Sequence, residues 1–242
     1  MSSRKYIEER RQKRKRQNSL LTLMMAGGVI LVLGAVVYAI ITSSNVKLRA
    51  GQIEKPEFSE LDQFDLSGLG DPQAPIVIEE YSDFGCSHCA DFALETKKLL
   101  EEEYIKTGQV SLVFRTVGFL AEAPALQQSA EAVYCAGEQG AFWDFHDLLF
   151  ANQVKLFTNR AADISKSMET FADLLELDLD EFEGCIAEGK YQQLVSENQT
   201  AAANLGMTGT PYFVINGIIL RGNQPIENFR QAIEEAQAAI DN

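Results

Sequence analysis

The chain is poor in the residues that build metal sites and nucleic-acid surfaces. Its 242 residues include only two histidines, His88 and His146, and four cysteines. A structural zinc site needs two close pairs of thiolate or imidazole ligands. Only Cys86 and Cys89 lie close together, while Cys135 and Cys185 stand alone, so no metal and no other cofactor is expected. Positive charge is scarce outside one segment. Residues 1–19 carry eight Lys and Arg against two acids, and the overall net charge of -14 leaves -20 on the remainder. A nucleic-acid-binding domain would carry its basic residues on the folded part, so nucleic acid is excluded as a partner. Internal repeats are absent, as are low-complexity tracts beyond the basic segment.

Residues 20–42 lack every Asp, Glu, Lys and Arg and are rich in Leu, Met, Ile, Val, Ala and Gly. As a helix they would extend about 34 Å, enough for a hydrocarbon core of about 30 Å. A cleaved signal peptide would have a shorter apolar region, about 7 to 15 residues. The expectation is a single uncleaved span preceded by a basic cytoplasmic segment, 1–19. The positive-inside rule then puts residues 43–242 outside the cytoplasm.

Residues 43–70 contain Pro56, Ser67, Gly68 and Gly70 with little apolar period and read as a linker. The folded domain is expected over 71–242. Ile76-Val77-Ile78 opens a short β-branched run that reads as a buried strand. A helical pattern over 90–107 and a strand over 110–117 follow. Residues 124–206 read as several short helices. Asn216-Gly217 between two apolar runs is a strong hairpin signal, and a last helix is expected over 225–240. The element order β-α-β, helical block, β-β-α predicts an α/β thioredoxin-like fold with a helical insertion.

Chemistry concentrates in Cys86-Ser87-His88-Cys89, where a strand hands over to a helix. Unpaired N–H groups and the positive end of the helix dipole stabilise a thiolate at such a position. Cys86 is therefore the expected nucleophile, with Cys89, one turn further on, closing the redox disulfide. His88 can favour the Cys86 thiolate. Cys135 and Cys185, both in the helical block, form a second disulfide or remain buried thiols, since four cysteines allow three pairings. His146, among Trp143, Phe142 and Phe145, reads as a packed or surface helix residue without a role.

The stretch Glu79-Glu80-Tyr81-Ser82-Asp83-Phe84-Gly85-Cys86-Ser87-His88-Cys89 resembles the active-site segment of the DsbA-like family of the thioredoxin superfamily. Gly209-Thr210-Pro211-Tyr212-Phe213, about 120 residues on, resembles that family's cis-proline loop. The resemblance implies that Pro211 is cis and faces Cys86, and that Thr210 binds a substrate strand through its backbone. Glu80 matches a partly buried acid that relays protons. It also implies a thiol-disulfide oxidoreductase of the bacterial plasma membrane, acting on exported proteins with free thiols. A quinone-linked membrane partner of the DsbB or VKOR type would reoxidise it. The family often has Pro where this chain has Ser87, so oxidation and reduction or isomerisation both stay open, as does a non-catalytic peptide-binding role.

Overall fold

A computed structural model describes residues 24–25, 27–34, 47–117, 123–158 and 163–242. The chain divides into two compact units, Met1–Asn45 and Val46–Asn242. In the first, the described residues are helical and exposed. The expected span 20–42 falls largely outside the described residues and the basic segment 1–19 entirely so. Among the described residues no helix is long and apolar enough to cross a membrane.

The second unit is built on a six-stranded sheet comprising β1 (Gln63–Phe64), β2 (Gly68–Leu69), β3 (Ile76–Ser82), β4 (Val110–Thr116), β5 (Tyr212–Ile215) and β6 (Ile218–Arg221), in the order β1-β2-β4-β3-β5-β6. β3 lies centrally, parallel to β4 and antiparallel to β5. Over Ile76–Glu80 β3 alternates buried and half-buried residues, and β4 has its half-buried positions at Val113 and Arg115. A parallel neighbour requires a crossover connection. Here it is a helical stretch made of α1 (Ser87–Asp91), a π-helical segment (Phe92–Thr96), α2 (Lys97–Leu100) and a second π-helical segment (Glu101–Ile105). The β5–β6 turn has Asn216 at φ 46° and Gly217 at φ 93°, the left-handed pair that a tight hairpin demands. Asn216 also ties the turn to β3, accepting from Val77 N at 2.9 Å and donating to Pro75 O at 3.0 Å.

The inserted block comprises α3 (Pro124–Glu138), α4 (Phe142–Ala151), α5 (Gln153–Phe157), α6 (Ser165–Leu174), α7 (Leu179–Glu188) and α8 (Gln192–Asn204), and α9 (Ile226–Ile240) ends the fold. Cys135 on α3 is bonded to Cys185 on α7, with Cα atoms 5.9 Å apart. Phe114 of β4 meets Phe142, Trp143 and His146 of α4, and Phe84 packs on Phe150. On the other side Phe92, Phe213 and Phe229 pack together.

The segment read as a linker, 43–70, is not a tether over its described part. β1 and β2 extend the sheet beside β4, Leu69 is fully buried, and Trp143 Nε1 donates to Gly68 O at 3.0 Å. Upstream, Leu48 N donates to Ser167 Oγ at 3.0 Å, and Glu54 exchanges two 2.9 Å hydrogen bonds with Asn152. Two-residue strands carry no readable period, and these partners lie far along the chain. A Cβ at Gly68 would come within 2.3 Å of the Phe64 ring, so the glycine that suggested flexibility serves close packing.

Candidate active site

Cys86 is the N-cap of α1, with extended backbone (φ -94°, ψ 122°). Its carbonyl accepts the N–H groups of Cys89 and Ala90, both at 3.2 Å, and at this helix start the N–H groups of His88 and Cys89 also reach its sulfur. The half-buried sulfur, when protonated, donates to Thr210 O at 3.4 Å. Cys89 is fully buried. The Cys86 thiol is held down at about 5, through hydrogen bonding from Cys89 first and then from the Thr210 side chain and the N–H groups of Cys89 and His88, against the opposing cost of burial. Cys89 is pushed far up by burial and by the charge of Cys86 beside it. One thiol is thus built to ionise and its neighbour to stay protonated, the asymmetry that exchange chemistry needs.

The Thr210–Pro211 peptide is cis, and the loop carrying it leads into β5, whose pairing with β3 sets Tyr212 opposite Tyr81. This register brings the two distant motifs together. The His88 imidazole is exposed, with Nδ1 3.6 Å from Asp91 Oδ2. The residue reaches Cys86 through its backbone N–H rather than its ring.

Strand alternation separates the two adjacent acids. Glu79 points to the half-exposed side and accepts from Arg115 Nε at 2.7 Å. Glu80 is fully buried, and among the described residues neither of its carboxyl oxygens makes a hydrogen bond of full geometry, although the Ser82 hydroxyl is close enough to favour its charge. Burial pushes it up to about 8, with the Ser82 hydroxyl and Lys97 favouring the charged form and Asp147 opposing it. Glu80 is therefore a neutral acid at pH 7, capable of giving up a proton inside the protein.

Lys97, Glu101, Asp147 and Gln153 went unsignalled in the sequence. Lys97 Nζ is buried and donates to Asp147 Oδ2 at 3.0 Å and Glu101 Oε1 at 3.1 Å. Burial disfavours its charge, but Asp147 and Glu101 more than compensate and raise its pKa. Asp147 Oδ1 lies 2.7 Å from His146 Nδ1. His146 is fully buried among Phe84, Phe114, Trp143 and Phe150, and burial lowers its pKa. Gln153 Nε2 donates to Phe84 O at 2.7 Å and Cys86 O at 2.8 Å. In sequence Lys97 and Glu101 look like an ordinary surface i,i+4 pair, and Gln153 like any helical glutamine.

The family model described as Thioredoxin matches residues 65–235. A Bacillus cereus protein described as a probable disulfide bond formation protein D is 25% identical over 206 residues, covering 84% of this chain and 89% of that one. The Na(+)/H(+) antiporter NhaA 3 of Salinispora tropica is 34% identical over 170 residues, which make up 70% of this chain but 24% of the antiporter. The chain thus spans about a quarter of that relative's length. Among solved structures, alpha-DsbA1 of Wolbachia pipientis is similar with a TM-score of 0.63 and 26% identity, covering 75% of this chain and 96% of that one. Taken with the paired cysteines and the facing proline loop, the family match establishes that the chain belongs to the thioredoxin family, and within it the chain is similar to DsbA-like proteins.

Proposed function

We propose that the protein is an extracytoplasmic, membrane-anchored oxidase that introduces disulfides into exported proteins through Cys86 and Cys89. The observation that carries this reading is the contrast between an accessible Cys86 held as thiolate and a buried Cys89 held as thiol. A substrate thiolate attacks Cys86 of the Cys86–Cys89 disulfide, the S–S bond breaks, and Cys89 leaves with the electron pair. Its proton comes from Glu80, which then takes up the proton of the second substrate thiol. A second substrate thiolate then attacks the mixed disulfide, releasing the substrate disulfide and the Cys86 thiolate, so that two electrons pass to the enzyme. A low thiol pKa makes Cys86 a good leaving group and stabilises the reduced enzyme, which makes its disulfide oxidising. Thr210 and Pro211 are assigned to holding the substrate strand, and Cys135–Cys185 to stabilising the insertion.

Turnover requires the electrons to leave, and a quinone-linked membrane partner of the DsbB or VKOR type is assigned that step. An anchor at 20–42 would confine both proteins to one membrane plane and raise their effective concentration. The match to the antiporter covers a quarter of that protein, and ion antiport forms no part of this reading.

Equilibration with glutathione, with mass mapping of all four cysteines, is the deciding measurement. A potential well above the thioredoxin end of the scale, about -270 mV, supports the oxidase. A value at that end would replace it with the reductase or isomerase reading that the threonine before Pro211 leaves open. Cys86→Ala should abolish substrate oxidation, and unchanged oxidation would leave the motif structural. Membrane fractionation with protease accessibility tests the anchor, since recovery in the soluble fraction would remove it.

A further inference from the structure

We infer that Gln153 is a positioning residue of the exchange centre: from the helical insertion, its carboxamide holds the Phe84-Gly85-Cys86 turn so that the His88 and Cys89 N–H groups face the Cys86 sulfur.

Gln153 opens α5 and is nearly buried. A carboxamide nitrogen carries two hydrogens, and here each finds a carbonyl, Phe84 O at 2.7 Å and Cys86 O at 2.8 Å. The two acceptors flank Gly85, whose missing side chain lets Leu126 approach to 2.9 Å of where a Cβ would stand. Inside the turn, Cys86 N donates to Asp83 O at 3.0 Å and Gly85 N to Asp83 Oδ1 at 2.7 Å. Those bonds close the turn on itself. Gln153 is a hydrogen-bonding link that fixes it against the insertion.

The Cys86 carbonyl also receives the Cys89 and Ala90 N–H groups, so Gln153 shares an acceptor with the first turn of α1. Rotating the peptides on either side of Cys86 would move its sulfur relative to the N–H groups that stabilise negative charge, and such hydrogen bonds weaken steeply with misalignment. Glutamine suits the task chemically. A glutamate would set carboxylate oxygens against two carbonyl oxygens, asparagine is one methylene shorter, and methionine or leucine supplies no donor.

This inference rests on Cys86 being the exchanging thiol, so the full-length wild type is measured first. Absorbance near 240 nm followed against pH reports the Cys86 thiolate, and equilibration with glutathione reports oxidising strength. Gln153→Met is expected to raise the thiolate midpoint by about one pH unit, a tenfold change, and to weaken oxidation of glutathione by a similar factor. Gln153→Glu, which keeps the side-chain shape, should raise the midpoint further and serves where the methionine variant does not fold. Val154→Ala, at an exposed neighbour on the same helix, should match wild type. An unchanged midpoint and glutathione equilibrium in the Gln153 variants overturns the inference whatever happens to thermal stability, as does an equal shift in Val154→Ala. A wild type without a low midpoint would instead sink the exchange reading itself.

Discussion

Two thiols three residues apart acquire opposite characters because one caps a helix and the other lies inside it. Glu80 adds a third titrating group with a sign of its own. Its carboxyl is raised from an ordinary 4.5 to about 8 by burial, so between those values the folded protein holds a proton that the unfolded chain has released. Stability from this group is full below about pH 4.5 and is lost as pH rises toward 8, by an amount on the order of 5 kcal/mol. Urea unfolding of the oxidised protein, in which neither active-site cysteine titrates, should show stability falling across this range. Glu80→Gln should flatten the profile and leave the variant more stable than wild type at pH 8.5. A wild-type profile that is already flat would show Glu80 ionised at neutral pH. The reduced protein adds an opposite contribution: Cys86, held down at about 5, stabilises it as pH rises through that value. Reduced protein should therefore melt above oxidised protein at pH 7, and the gap should shrink as pH falls toward 5 and be gone below it.

Among elements, the insertion is fastened to the sheet and the cysteine helix at separate points. The Lys97–Asp147 bond clips α2 to α4 inside the core. Removing one partner of a buried pair leaves a bare charge, so Lys97→Met should cost about 3–5 kcal/mol in chemical denaturation. Adding Asp147→Asn should recover part of it, and a Lys97→Met cost below about 1 kcal/mol would mean that water reaches the site. The Cys135–Cys185 bond works differently. It closes a loop with a sequence separation of 50 between α3 and α7, which is worth about 4 kcal/mol on the chain-entropy estimate. Replacing both cysteines by alanine should lower stability by up to that amount while leaving the Cys86 thiolate midpoint in place.

For the whole molecule, residues 47–70 decide where the domain begins. They supply two strands, a hydrogen-bond acceptor for Trp143 and the buried Leu48 and Leu69. A chain starting at residue 71 would bare the outer edge of β4 and leave the Trp143 indole N–H without its acceptor at Gly68. It should unfold at lower urea than a chain starting at residue 46, and equal midpoints would return 47–70 to the status of a tether. The net negative charge of the part after residue 19 lies outside this packing and bears on solubility and on encounter with substrates.

The amino-acid sequence by itself determined the local chemistry: a Cys-x-x-Cys at a strand-to-helix junction, a Thr-Pro loop before a β-branched strand, and an Asn-Gly turn with the backbone freedom it needs. These were legible because each is set by residues adjacent in the chain. The buried state of Glu80, the internal position of Lys97, the grip of Gln153 on the Cys86 turn and the role of residues 47–70 were decided only by the tertiary structure. Each depends on a partner dozens of residues away, and a charged or amide side chain reads the same in sequence whether it ends in solvent or in a core. The cysteine pair falls between the two, since the strand-to-helix junction already points to Cys86 as the nucleophile, whereas the size of the difference between the two thiols comes from the Thr210 loop and the burial that folding places around them.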